Sequence, residues 1–223
     1  MDNPNPDGAY AVGIDLGGTN LKVALVERDG GIVRRTSVET DAHDGPDRVL
    51  GRIADEVRDV AQALPDGARL AGIGAGVPGS VTLDRTTVLS PPNLPGWGKV
   101  LVAEALRARL GGLALDGPIL VENDANVAGL GSAFYGAGAA YPTFIMVTLG
   151  TGVGGAILVD GRLFRGVTGA AGEIGHISID YEGPPSRAGV AGAAEAYLGQ
   201  RFLSRHARYQ LMNRESTLHE TWG

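Results

Sequence analysis

The chain has 223 residues, 36 of them glycine and none cysteine, and its 25 acidic against 19 basic side chains leave a formal charge of −6. Without cysteine there is no disulfide framework and no thiolate metal site, which fits a reducing cytoplasm, and an acidic chain lacks the electrostatic footprint of a nucleic-acid binder. Residues 1–8 are polar and lack the apolar core of a secretory signal, and no apolar run approaches bilayer length, so neither export nor a membrane partner is expected. Residues 10–14 read as a buried strand, and the alternation of Leu21, Val23 and Leu25 with Lys22, Ala24 and Val26 predicts a second. Residues 32–38 make a third. Asp44, two residues before Pro46, is the expected N-cap of a helix over 46–64, where Val49, Ile53, Val57, Val60 and Leu64 form one apolar stripe. Pro65-Asp66-Gly67 ends it. Residues 70–77 return as a strand that breaks at Pro78-Gly79, residues 84–98 read as a proline-rich loop, Val102, Leu106 and Leu110 suggest a helix, and residues 119–121 a short strand. The order β-β-β-α-β-α-β predicts a mixed sheet with helices on its faces.

The pattern then restarts. A helix of small residues is expected over 125–136, a strand over 144–149, its hairpin partner over 155–159, and a third strand over 162–165. Residues 166–192 read as loop. Glu195, Leu198 and Phe202 fall on one helix, and the apolar pattern fades after Arg205.

Two glycine turns carry the chemistry. The first, Gly17-Gly18-Thr19, is followed by a period-two strand rather than a helix, so it is not a dinucleotide fingerprint, and no Gly-Lys-Ser/Thr marks a P-loop. Its bare backbone N–H groups can wrap an anion, with Thr19 adding a hydroxyl and Asp15 beside it to orient Mg²⁺ through water. An ordinary tight hairpin has the same sequence. The second turn, Gly150-Thr151-Gly152-Val153-Gly154-Gly155, holds more glycine than a reversal needs. Between the two lies Glu122-Asn123-Asp124-Ala125-Asn126, where a strand gives way to a helix. Asn123 or Asp124 there is either a helix N-cap or a carboxylate that accepts the proton of a sugar hydroxyl as it attacks a γ-phosphoryl group.

In order, Asp15-Leu-Gly-Gly-Thr-Asn20, Gly76-Val-Pro-Gly-Ser80, Pro92-Asn-Leu-Pro-Gly-Trp97, Glu122-Asn-Asp-Ala-Asn126, Leu149-Gly-Thr-Gly-Val-Gly-Gly155 and Gly172-Glu-Ile-Gly-His176 resemble the ROK family of bacterial sugar kinases and repressors. The resemblance runs from about Tyr10 to Leu203. It implies an α/β, actin-like ATPase fold of duplicated ribonuclease-H-like domains, here 9–118 and 119–223 with the second incomplete. It also implies ATP-dependent phosphorylation of a hexose of the glucose type. By resemblance Asp124 is the catalytic base, Asn123, Glu173, His176 and Glu195 hold sugar hydroxyls with Gly79 on the opposite wall, and Gly17, Gly18, Thr19, Gly150, Thr151 and Gly152 face the ATP phosphates. Carboxylates paired with Asn and His supply both the acceptors and the donors that adjacent hydroxyls need. A homodimer is the assembly the resemblance suggests.

The chain departs from that pattern twice. The family's zinc motif, one His with C-x-C-G-x-x-G-C-x-E, falls on His176 and the stretch from Ser186 to Glu195, where Ser186, Ala188 and Ala193 stand at the three cysteine positions. No structural zinc is expected, because His176 alone cannot make a tetrahedral site. Family members also continue for roughly another 80–100 residues on a domain-size scale. Residues 208–223 do not resemble that continuation, so residues 144–149 are expected to form an uncovered apolar edge, and the isolated polypeptide to be unstable or inactive. Two alternatives to a kinase follow: a sugar-binding remnant without turnover, and a regulator of the same family. A regulator is disfavoured because fewer than ten residues precede the first strand, too few for a helix-turn-helix.

Overall fold

The computed structural model describes residues 9–212. Strands β1 (Tyr10–Leu16), β2 (Asn20–Glu27) and β3 (Ile32–Glu39) form an antiparallel meander. Helix α1 (Pro46–Ala61) then crosses to β4 (Leu70–Val77), which pairs parallel to β1, and β8 (Ile119–Asn123) pairs parallel to β4. The sheet order is β3-β2-β1-β4-β8. Residues 119–123, which the sequence reading assigned to the second unit, thus lie at the edge of the first sheet.

The alternation that predicted these strands is an alternation of burial. Val12, Ile14, Leu16, Leu21, Val23 and Leu25 turn into one core. Val49, Ile53, Val57 and Val60 of α1 close it, as the helical stripe predicts, joined by Leu106 of α2 (Val102–Arg109). Each fully buried aliphatic side chain contributes about 1.5–3 kcal/mol, so this stripe rather than helix propensity holds α1 in place. Helix α1 itself ends at Ala61, and Leu64 packs on the core from the turn beyond it.

Several local expectations are corrected. Asp44 does not cap α1. It closes a 3-10 turn, Ala42–Asp44, and its carboxylate accepts from Arg52, while Gly45 holds the cap position at φ +83°. The loop over 84–98 is not structureless. Val88–Leu89 (β6) is the middle strand of a small antiparallel sheet with Ser80–Val81 (β5) and Lys99–Val100 (β7). Strands of two residues are too short to show a period.

Helix α3 (Asp124–Tyr135) packs on the second sheet, order β11-β10-β9, made of β9 (Phe144–Leu149), β10 (Val153–Val159) and β11 (Arg162–Leu163). Its small residues permit that closeness: a Cβ at Gly129 would stand 2.5 Å from Cβ of Ala156. Strand β11 stops two residues short of the expected limit: Phe164 N still donates to Ile157 O at 2.8 Å, and the chain then turns at Gly166, φ +68°. Among the described residues β9 is an edge strand, and its Ile145, Val147 and Leu149 are 62 %, 52 % and 65 % exposed.

The expected helix through Glu195, Leu198 and Phe202 is two helices. Gly199 is extended between α4 (Glu195–Leu198) and α5 (Gln200–Met212). Helix α5 also runs past Arg205, where the apolar pattern fades. It is exposed along most of its length, so the fading reported exposure, while Leu, Arg, Ala and Gln sustain the helix. Among the described residues no helix is long and apolar enough to cross a membrane.

Candidate active site

The parallel register of β1, β4 and β8 brings three chain segments to the same end of the first sheet. Asp15 lies opposite Gly76, and Val77 opposite Asn123. The Gly17-Gly18 turn, the Pro78-Gly79 break and the Asn123-Asp124 corner therefore leave the sheet side by side, where α/β proteins seat ligands. The second sheet faces them with its own glycine turn. Between the two lies a cleft of about 640 Å³.

Most of the candidate residues line this one cleft: Gly17, Gly18, Gly79, Asn123, Asp124, Gly150, Thr151, Gly152, Glu173, His176 and Glu195. Asp15 and Thr19 do not. Thr19 is exposed, and Asp15 pairs with Lys22 at 3.0 Å while its charge still reaches Asp124. The sequence reading attached no role to Ser80, Ser90, Asn93, Asn126 or Thr148, which also line the cleft. Asn93 lies within the Pro92–Trp97 motif and Asn126 within the one around Asp124. Ser80 closes the Gly76–Ser80 motif and Thr148 lies in the predicted strand β9, while Ser90, just past β6, carries no signal of its own.

Of the two residues, Asn123 takes the capping role that the sequence left open, which leaves the Asp124 carboxylate free of it. Asn123 is the N-cap of α3: its Oδ1 accepts from the Asn126 amide at 3.1 Å, and its Nδ2 donates to the Gly79 carbonyl at 3.2 Å. That second bond ties the corner to the neighbouring Pro78-Gly79 break, so Gly79 lies beside Asn123 and not on the opposite wall that the resemblance implied. Asp124 is the first residue of the helix, and its Oδ1 accepts from the Ala125 amide at 2.9 Å. Its side chain opens into the cleft. The enclosing walls desolvate it enough to push the carboxyl above its ordinary range. The Ala125 amide opposes that shift, and the Asp15 charge adds to it. A carboxylate made more basic, and open on one side, suits a proton acceptor.

Glu195 is half-buried at the start of α4 and accepts from the Val153 amide at 3.2 Å, which locks it to the second glycine turn. A Cβ on Gly152 would run into this carboxylate. Gly152→Ala is therefore expected to displace the Glu195 carboxylate and free the Val153 amide, with unchanged far-ultraviolet circular dichroism. Amide hydrogen exchange checks this: exchange at Val153 should be about tenfold faster, and unchanged exchange means that the carboxylate keeps its place. Glu173 and His176 face the cleft 3.7 Å apart and partly open to solvent.

The residues present do not fit a structural zinc. Ser186 is buried, Ala188 exposed and Ala193 fully buried, and none offers a thiolate beside His176. Among the described residues no group of three or more His, Asp or Glu gathers at a metal-binding distance. Backbone and side-chain bonds stitch this segment instead: Ile179 N to Gly192 O at 2.8 Å, Ser178 Oγ to Ala191 O at 2.7 Å, and Tyr197 Oη to Asp180 Oδ2 at 3.0 Å.

Two glycine turns facing one another across a cleft, on a mixed α/β frame, define a protein of the actin-like ATPase fold. Residues 11–219 match the ROK family. The chain belongs to that family. It is 34 % identical over 197 residues to the glucokinase of Thermotoga maritima, covering 88 % of this chain and 59 % of that protein. It is also similar to the crystal structure of a ROK family glucokinase from Streptomyces griseus in complex with glucose and AMPPNP, at TM-score 0.77 and 32 % identity, covering 91 % of this chain and 61 % of that one. The xylose repressor of Bacillus subtilis is 28 % identical over 200 residues, 89 % of this chain and 50 % of that protein. The chain thus spans about three-fifths of the length of the curated glucokinases it matches.

Proposed function

We propose that this chain carries the sugar site and the phosphate turns of an ATP-dependent hexose kinase of the glucose type, with Asp124 as general base. The observation that carries the reading is the single cleft shared by both glycine turns and Asp124. The similarity to glucokinases, one of them crystallised with glucose and AMPPNP, supports it. In this reading Asn123, Glu173, His176 and Glu195 hold the sugar hydroxyls, and Gly79 lines the cleft beside Asn123. Gly17, Gly18, Gly150, Thr151 and Gly152 approach the polyphosphate through backbone N–H groups, with Thr19 at the rim. Asp124 takes the proton of the attacking hydroxyl, the sugar oxygen bonds the γ-phosphorus, and ADP departs with the electrons of the broken bridge bond. Mg²⁺ would be held beside Asp15 through water, because Asp15 stands outside the cleft and pairs with Lys22, and this ion keeps most of its waters. When bound it neutralises phosphate charge. The same reading has the protein in the cytoplasm as a homodimer of two-domain subunits, divided after β8 rather than at residue 119.

A second reading, sugar recognition without turnover, draws on the similarity to the xylose repressor. One experiment separates them. Glucose, N-acetylglucosamine, N-acetylmannosamine, mannose and fructose are each added with Mg-ATP, and ADP release and melting temperature are followed. Sugar-dependent ADP release is expected for the kinase. A sugar-dependent melting shift without ADP favours recognition alone, and neither response overturns both.

The raised carboxyl of Asp124 also sets a pH dependence. A base works only when ionised, so turnover is expected to fall as pH drops through the raised value. The acid limb of kcat/KM should therefore lie above that of an unperturbed aspartate, and a limb at or below the unperturbed value removes Asp124 as the titrating group.

A further inference from the structure

Glu122 is the most deeply buried acid in the described chain, 4 % exposed, and the roles above leave it unused. Its Oε1 accepts from the Asn123 amide and from Asn126 Nδ2, both at 3.1 Å. Its Oε2 accepts from Arg165 Nε at 2.6 Å and lies 3.5 Å from Arg85 Nε. Three separate segments therefore converge on one carboxylate: the corner that holds Asp124, the tip of the β5–β6 hairpin, and the chain leaving β11.

The two arginines are not interchangeable supports. Arg85 sits at φ +60°, an unfavourable backbone conformation for a residue with a Cβ, and its carbonyl accepts from the Val121 amide at 2.8 Å. It fastens the hairpin to β8. Arg165 points the other way along the chain. Its carbonyl accepts from the Ala171 amide at 3.1 Å, closing the turn over 166–171, and Gly169, Ala171, Gly172 and Glu173 of this turn and its exit line the cleft. The path from Glu122 to the sugar wall is thus two bonds through Arg165. Burying a carboxylate between two guanidinium groups is costly unless its oxygens are well paired, and here each oxygen has its partners.

We propose that Glu122 is a positioning residue that couples the Asp124 corner to the sugar wall over 165–173. One oxygen sets the turn that aims Asp124, and the other clamps Arg165 and, through it, the wall that carries Glu173. The coupling rests on the kinase reading for its catalytic consequence, but the clamp itself does not need turnover. Glu122→Gln keeps the shape and turns an amide N–H₂ or a weaker acceptor toward the two guanidinium groups, which releases Arg165.

Amide hydrogen exchange without ligand tests the clamp. In Glu122→Gln the amides over 164–173 are expected to exchange at least tenfold faster, with β1 and β2 unchanged. The apparent KM for sugar should rise about tenfold, and Arg165→Lys should fall between wild type and Arg165→Gln in both measures. Uniformly faster exchange across the whole chain, or unchanged exchange over 164–173, overturns the proposal. If Glu122→Gln does not fold, Arg165→Gln, altered at a less buried position, decides by the same local exchange. Should the wild type release no ADP, faster local exchange in the variants still establishes the clamp, so that failure belongs to the kinase reading alone.

Discussion

Asp124→Ala is expected to lower turnover by about 10²–10⁴-fold while leaving glucose binding largely in place. The cap of α3 is Asn123, not Asp124, so removing the Asp124 carboxylate does not unseat the helix. The sugar contacts proposed for Asn123, Glu173, His176 and Glu195 also remain. A coupled ADP assay and a glucose-induced melting shift read the two effects separately, and near-normal turnover removes Asp124 as the base. Asp124→Asn adds a sign-specific test. The folded state raises this carboxyl, so it holds the proton more tightly than the unfolded chain does. That stabilisation is present below the unfolded pKa and is lost as pH rises through the folded one. At neutral pH the ionised Asp124 is a burden on the fold. The Asn variant should therefore melt no lower than wild type at pH 7, with its relative advantage shrinking in acid. A lower melting temperature at pH 7 contradicts the desolvated carboxylate.

Leu16→Ala is expected to cost about 2–5 kcal/mol of stability. Leu16 is 1 % exposed, at the last position of β1, and belongs to the core that α1 closes. Truncating it opens a cavity directly beneath the Gly17-Gly18 turn. Urea unfolding should show a lower midpoint with an unchanged slope, the signature of lost stability rather than of an altered unfolded state. Lys22→Ala is the control, because the Lys22–Asp15 pair is mostly exposed and such pairs contribute about 0–1 kcal/mol. A loss below about 1 kcal/mol for Leu16→Ala means the core relaxes around the gap.

The exposed side of β9 bears on handling these variants. Ile145, Val147 and Leu149 alternate along an edge strand, the arrangement expected from the run of apolar residues over 144–149. An apolar edge is open to pairing with another chain. The melting and exchange measurements therefore belong at low protein concentration.

What was legible in the sequence followed from local rules. Burial alternates in β1 and β2 because one sheet face is covered, and α1 shows its stripe because one helix face is covered. The two glycine turns and the Asn123-Asp124 corner were visible because turn chemistry is written in neighbouring residues. Asp44 misled because an aspartate before Pro46 reads as a cap, whereas Arg52, about two turns further on, claimed its carboxylate. The small sheet of β5, β6 and β7, and the break at Gly199, lay below the length at which a period can be read.

By itself, then, the amino-acid sequence determined the strands and helices with one covered face, the family, and the short motifs that hold the candidate site residues. Only the tertiary structure decided that both glycine turns and Asp124 open onto one cleft, that Asp15 and Thr19 stand outside it, and that Glu122 joins Arg165 across 43 positions of chain. The reason is physical. Periodicity and turn preference are set by residues within a few positions, whereas a cleft and a buried ion pair depend on which distant segments the parallel register of β1, β4 and β8 brings to the same end of the sheet.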